Sequence, residues 1–241
     1  MATDDQDRLL LAVLLVLTLF SGVLDAVSYL GLGHVFTANM TGNVVVLGFA
    51  AAGASGFSAP ACLTSLGAFL LGALTAGRVS RQLPSWRLLI LAISIESLVT
   101  ATAAVVALTA AAEAAGVVSG WPRFTIIALL AFGLGSRNAT VRKLGIRDLP
   151  TTVLTMTLTG LAADSFLAGG DNALASRRAG SVAAMLIGAL AGALGYLHAG
   201  AGPTLAADSI GVLAAGIVLA LTGGRPGGQY FMKSSKNSST P

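Results

Sequence analysis

Residues 34–53, HVFTANMTGNVVVLGFAAAG, and their counterpart at 151–168, TTVLTMTLTGLAADSFLA, decide how this chain folds. Each stretch is too polar at one end for an ordinary membrane span and too apolar at the other for an ordinary loop. The 241 residues around them are 55% hydrophobic and 10% charged, with a mean hydropathy of +0.83. So little polar surface cannot cover a water-soluble globule, and lipid must be the solvent. Six further runs, 9–30, 59–77, 88–112, 117–136, 179–197 and 204–222, fit the roughly 20 apolar residues that a helix needs to cross a hydrocarbon core. The first resembles a secretory leader in hydrophobicity alone. Its flank, Asp4, Asp5, Asp7 and Arg8, is more acidic than basic and no small-x-small site closes it, so it is expected to stay attached.

Charge chooses between two threadings. If both stretches crossed the membrane there would be eight spans, with Arg8 opposite Arg78, Arg81 and Arg87, and with Arg177 and Arg178 opposite Arg137, Arg142, Lys143 and Arg147. If both dip in and return on the same side, those ten residues share the cytoplasmic side with Arg225, Lys233 and Lys236, leaving Arg123 alone outside among the 14 basic residues. The positive-inside rule favours the second arrangement. The expected fold is therefore an all-α integral membrane protein of six full transmembrane helices and two re-entrant half-helix segments, in one domain over 1–222. Both termini are expected in the cytoplasm, and 223–241, rich in Gly, Ser and Lys, reads as a disordered tail. The net charge of +4 sets orientation and is not a nucleic-acid signal. The single cysteine, Cys62, rules out an internal disulfide.

Laid over one another, the halves repeat. Val35, Thr37, Thr41 and Gly42 match Val153, Thr155, Thr159 and Gly160, and Ser65 to Leu74 resembles Ser181 to Leu190 with six identities in ten positions. Each copy, about 9–116 and 117–222, holds three full spans, and an odd number inverts the second copy. Inverted repeats with discontinuous segments near mid-bilayer are a recurrent plan of secondary transporters.

Backbone that leaves the helical state at membrane depth must be buried in protein or line a wet cavity. Thr37, Asn39, Thr41 and Asn43 can supply partners for it. A half-helix over Val44 to Gly53 with Thr41 or Asn43 as N-cap would aim free amides at the protein centre, where they favour a polar or anionic group. Asp25, Asn39, Thr41, Gly42, Asn43, Asn138, Thr155, Thr159 and Gly160 are the candidate solute-binding residues, Asn138 being placed by the repeat opposite Asp25. Asp25 equally reads as a structural partner of the adjoining dip.

Glu96, near mid-span, is a proton-coupling candidate with Asp25; the alternative is a neutral glutamate bonded to Ser94, Ser97 or Thr100 that joins helices. Arg137 reads as part of the cytoplasmic charge belt, or as a partner of Glu96 or of an anion. Asp164 reads as a helix cap, and Asp208 as first-turn dipole compensation. One histidine at the outer mouth, His34, makes no metal site. Gly188-x-x-x-Gly192, with Gly72 and Gly77, suits close helix packing within the bundle or between copies in a homo-oligomer.

The run Gly22-Val23-Leu24-Asp25-Ala26-Val27-Ser28-Tyr29-Leu30, with Val35-Phe36 and Met40-Thr41-Gly42-Asn43, resembles the signature of the YoaK-like multi-pass bacterial membrane proteins, a family of unknown function. Asn138-Ala139 and the 151–160 stretch are similar to that pattern too, with Arg137 where the family usually carries glutamine. The resemblance implies a bacterial cytoplasmic membrane and brings no substrate.

No phosphate loop, nucleophile elbow or metal motif is present, so neither an enzyme nor a cofactor is expected. The expected function is a secondary transporter, with proton coupling as an option, for a small polar or anionic solute bound between the two repeats. The alternatives are a passive channel for a small polar solute and a structural or signalling membrane protein.

Overall fold

The computed structural model describes residues 2–113, 118–144, 154–172 and 174–222; the expected tail at 223–241, together with Thr151, Thr152 and Val153, lies outside them. The described residues form eight α-helices and a 3-10 turn, Phe166–Ala168, with no strand among them. The helices are α1 (Ala2–Gly31), α2 (Met40–Ala51), α3 (Ala59–Val79), α4 (Ser85–Glu113), α5 (Gly120–Leu144), α6 (Leu154–Ala163), α7 (Ala175–Ala199) and α8 (Ala201–Leu221). All but α2 and α6 are long and apolar enough to cross a membrane, six in number, matching the six runs.

Two boundaries differ from expectation. The fourth span runs eight residues past 136, to Leu144, because its last turn can be basic: Arg142 and Lys143 sit there, where cations complement the helix dipole. That extension carries Arg137 inside. Helix α2 begins at Met40 instead of Val44, because Asn39 caps it, its Oδ1 accepting from the Gly42 N–H at 3.3 Å. Elsewhere local signals act as they read. Ser58 caps α3 by accepting from Ala61 N–H, and Pro60 occupies the first turn, where a missing N–H costs little. Gly200, at φ 86°, joins α7 directly to α8 through a backbone conformation that side chains disfavour.

The packing interlaces the two halves. α1 lies along α7 and α5 along α3, while α4 packs on both α5 and α8; α2 rests on α3 and α6 on α7. Glycines set the closest approaches. A Cβ on Gly188 would meet the Leu19 carbonyl, and one on Gly22 the Met185 carbonyl; likewise Gly72 faces the Phe132 carbonyl and Gly135 that of Phe69. Small residues at such points let backbones touch, which drives helix association where lipid supplies no hydrophobic force. Gly77 does not share this role: nothing lies within 4 Å of it. The outward faces are apolar, Leu70, Leu186 and Ile210 each about two thirds exposed, as lipid contact requires.

Inside, two apolar clusters are stacked along the helices. One gathers Leu24, Val27, Ala103, Ala107, Ile126, Leu130, Leu134 and Leu205. The other gathers Leu14, Leu17, Leu89, Ile93, Val141, Leu144 and Val212. Between them, each of α1, α4, α5 and α8 contributes buried polar residues: Ser21, then Glu96, Ser97 and Thr100, then Ser136, Arg137 and Thr140, then Asp208 and Ser209.

Candidate functional site

This polar layer is the most costly feature of the fold. Arg137 is wholly buried and donates through Nη1 to Glu96 Oε1 at 2.6 Å, and through Nη2 to Ser21 Oγ. A charged pair removed from water is stable only with good geometry and its remaining polar atoms satisfied. Here they are not all satisfied: Glu96 Oε2, Thr100 Oγ1, Arg137 Nε and both carboxylate oxygens of Asp208 are buried and make no hydrogen bond among the described residues. Asp208, 2% exposed, lies within electrostatic reach of both Glu96 and Arg137. Across the α4–α8 contact, Ser97 Oγ donates to the Ser209 carbonyl at 2.9 Å.

Three expectations change here. Arg137 is not in a surface charge belt but at the centre, as the partner of Glu96. Glu96 is not bonded to Ser94, which donates to the Ile90 carbonyl. Asp208 is the eighth residue of α8, two turns from the end whose dipole it is expected to compensate. Asp208 and Ser21 join the site without having been expected there. A signal for the first is present, because Asp208-Ser209-Ile210 repeats the chemistry of Glu96-Ser97-Leu98.

The first short helix is held by a second polar set. Asp25, 5% exposed, accepts through Oδ1 from the N–H groups of Thr37 (2.8 Å) and Ala38 (2.7 Å), while its buried Oδ2 makes no hydrogen bond. Asn43 is fully buried and pairs with the backbone of Phe36 on both sides: Oδ1 accepts its N–H at 2.8 Å and Nδ2 donates to its carbonyl at 2.7 Å. Ser65 of α3 donates to the same carbonyl at 2.7 Å. The non-helical backbone at 32–39 is thereby supplied with partners by Asp25, Asn43 and Ser65. Gly42 is small because Phe36 lies over it, its ring 2.7 Å from where a Cβ would stand. Thr41 is exposed. His34, before α2, has Nδ1 2.9 Å from the Gly56 carbonyl after it.

The second short helix is anchored differently. Arg178 of α7, 7% exposed, donates from Nη1 to the Gly160 carbonyl and to Asp164 Oδ2, each at 2.6 Å. The guanidinium lies across Gly160, where a Cβ would come within 2.6 Å of its carbon. Asp164 is thus an ion-pair partner, not a cap. Thr155 and Thr159 are exposed, Thr159 Oγ1 donating to the Thr155 carbonyl at 2.9 Å, whereas Thr157, between them, is 1% exposed. Asn138 is half-buried on α5 next to Arg137. Of the nine candidate solute residues, then, Asp25 and Asn43 belong to the set that holds α2, Asn39 caps that helix, and Thr41, Thr155 and Thr159 are exposed.

A family profile described as "Protein of unknown function (DUF1275)" matches residues 13–221. The UPF0700 transmembrane protein YoaK of Bacillus subtilis (strain 168) is 33% identical over 157 residues, which are 63% of this chain. The matched part spans 65% of that relative's length. No solved structure matches. The resemblance to YoaK-like proteins is borne out, and with six candidate spans the chain is a multi-pass membrane protein.

Proposed function

The chain belongs to the DUF1275 family, whose description carries no function, and from that premise we propose that it transports a small polar solute across the membrane. The observation that carries this reading is the buried polar layer between two apolar clusters, with carboxylate and hydroxyl oxygens left without hydrogen bonds. Polar groups at mid-membrane are expensive, and ionisable ones held there mark substrate and ion pathways. Two carboxylates against one guanidinium leave the layer acidic, which favours an uncharged or cationic solute over the anionic alternative.

The architecture behind it is a pair of inverted repeats. Shifting α1 onto α5 by 113 positions and α3 onto α7 by 116 turns each close approach into another: Gly188 on Leu19 becomes Gly72 on Phe132, and Gly22 on Met185 becomes Gly135 on Phe69. With α4 shifted onto α8 by 112, Gly133 against Val99 becomes Phe20 against Gly211, the large and small partners exchanged. The two short helices are re-entrant in this reading. The contact of His34 with Gly56 supports entry and exit at one face for α2, and Asp25 holds the tip of the dip within the span. Asp25, Asn43 and Gly160 shape the dips, and the free oxygens of Glu96, Thr100 and Asp208 are the solute-facing groups.

The test is a thermal-shift screen of the purified chain in detergent against uncharged, cationic and anionic metabolites, with Asp208→Asn and Asn43→Ala. A ligand at about 100 times its dissociation constant adds roughly 2.7 kcal/mol to the folded state. Stabilisation by one uncharged or cationic class, lost in Asp208→Asn, supports the reading; stabilisation by anions alone would sink it. Flux of the hit into proteoliposomes that dissipates to equilibrium without a gradient assigns a channel; accumulation driven by a gradient assigns a carrier.

A further inference from the structure

The repeat exposes an asymmetry at the centre. In one half-site Arg137 of α5 balances Glu96 of α4. The related half-site sets α1 against α8, and the shift of 113 puts Leu24, fully buried, where Arg137 stands. Asp208, the counterpart of Glu96, therefore has no cation of its own. The charged groups acting on it are Glu96 on α4 and Arg137 on α5. Of the other helices packed on α8, α1 carries Asp25 next to Leu24, but its carboxylate is turned to the Thr37 and Ala38 amides; the remaining titratable groups with described side chains, Arg8 and Tyr29 on α1 and Arg177, Arg178, Tyr196 and His198 on α7, lie toward the helix ends. Asp208 lies about 10 Å along α8 from its start, by the helical rise of 1.5 Å per residue.

We propose that Asp208, Glu96 and Thr100 form a binding site for one monovalent cation, Na⁺ or a proton, at the crossing of α4 and α8. Three observations converge on it. Asp208 is 98% buried with both oxygens free of hydrogen bonds, and Glu96 Oε2 and Thr100 Oγ1 are equally without partners. The local charge, two carboxylates to one guanidinium, is short by one positive unit, and an uncompensated charge at this depth is costly. The ligand set is too small for a divalent ion: among the described residues no three His, Cys, Asp or Glu side chains converge. As a proton, the cation would sit on a carboxylate oxygen of Asp208 and convert it to a donor; as Na⁺, it would be held by carboxylate and hydroxyl oxygens.

The position bears on transport. It lies where the two halves meet through Ser97 and Ser209, so a cation there adds to the contact between α4 and α8 and leaves it weaker on release. A cation bound at such a seam biases the halves toward one arrangement, which is what coupling requires. The role in coupling rests on the transport reading above; the site does not.

The experiment uses the full chain in detergent and reads two signals. Thermal unfolding is followed as Na⁺ replaces choline at constant ionic strength, and infrared spectra are searched for the carbonyl stretch of a protonated carboxyl group. Wild type is compared with Asp208→Asn, Glu96→Gln and Leu24→Lys, each of which removes the missing charge by a different route. If the cation is Na⁺, the Tm of wild type rises by several degrees over about a hundredfold increase in Na⁺, and the rise is lost in Asp208→Asn and Glu96→Gln. If it is a proton, Na⁺ has no effect and the protonated-carboxyl band of wild type disappears in the same two variants. Leu24→Lys, where it folds, loses whichever signal wild type shows. Neither signal in wild type, or a signal that survives Asp208→Asn, overturns the site. Solute flux is scored separately: a cation signal without flux of any solute keeps the site and removes transport, while flux with no cation signal does the reverse.

Discussion

Arg137 is the largest fully buried side chain among the described residues. Burying a guanidinium costs several kcal/mol even after relaxation, and here it is offset by Glu96 and Ser21. Removing one partner strands the other, so Arg137→Leu should destabilise by about 3–5 kcal/mol. The double variant Arg137→Leu with Glu96→Leu should recover part of that loss, because neither charge remains. Urea unfolding in mild detergent measures both; a double variant worse than the sum of the singles would refute the pairing. The sequence could not place Arg137 because it sits just beyond the apolar run and next to a basic cluster, where a helix end and a buried ion pair look alike. Asn43 was legible as a buried polar residue. Its role as a partner for the backbone of the dip was legible too; which peptide it pairs with was not, since the Phe36 amide and carbonyl are positioned by the dip itself.

At the level of helices, the six spans were legible from length and apolarity, because lipid enforces both. Helix partners were not. Glycines recur in every span but α4, and only geometry separates Gly188, pressed on the Leu19 carbonyl, from Gly48 on α2 or Gly67 and Gly77 on α3, with open space around them. Gly188→Ala should therefore push α7 off α1 and lower the Tm by several degrees, in line with overpacking costs of about 1–3 kcal/mol. Gly48→Ala should leave the Tm unchanged or raise it slightly, since alanine suits a helix better than glycine by up to about 1 kcal/mol. Equal effects of the two substitutions would show that the α1–α7 contact does not set stability.

For the molecule as a whole, the two threadings differ in which loops see the outside. In a Cys62→Ala background, Ser55→Cys and Ala199→Cys should react with a membrane-impermeant thiol reagent on intact cells, and Gln82→Cys and Asp171→Cys only after permeabilisation. Eight full spans would reverse the result at Ser55 and Gln82. The charge distribution alone makes this prediction, whereas nothing in it pairs α1 with α7. That pairing governs how the protein is made. Helix α1 is made well before α7, the helix it lies along, so until α7 is inserted its glycine face lacks that partner. The same holds for α3 until α5 arrives. The first four helices on their own are an unfinished surface with Gly22 and Gly72 uncovered, and a chain that stops there presents membrane proteases with an orphan. Supplying the second half as a separate polypeptide should rescue it, because the missing contacts lie between the halves.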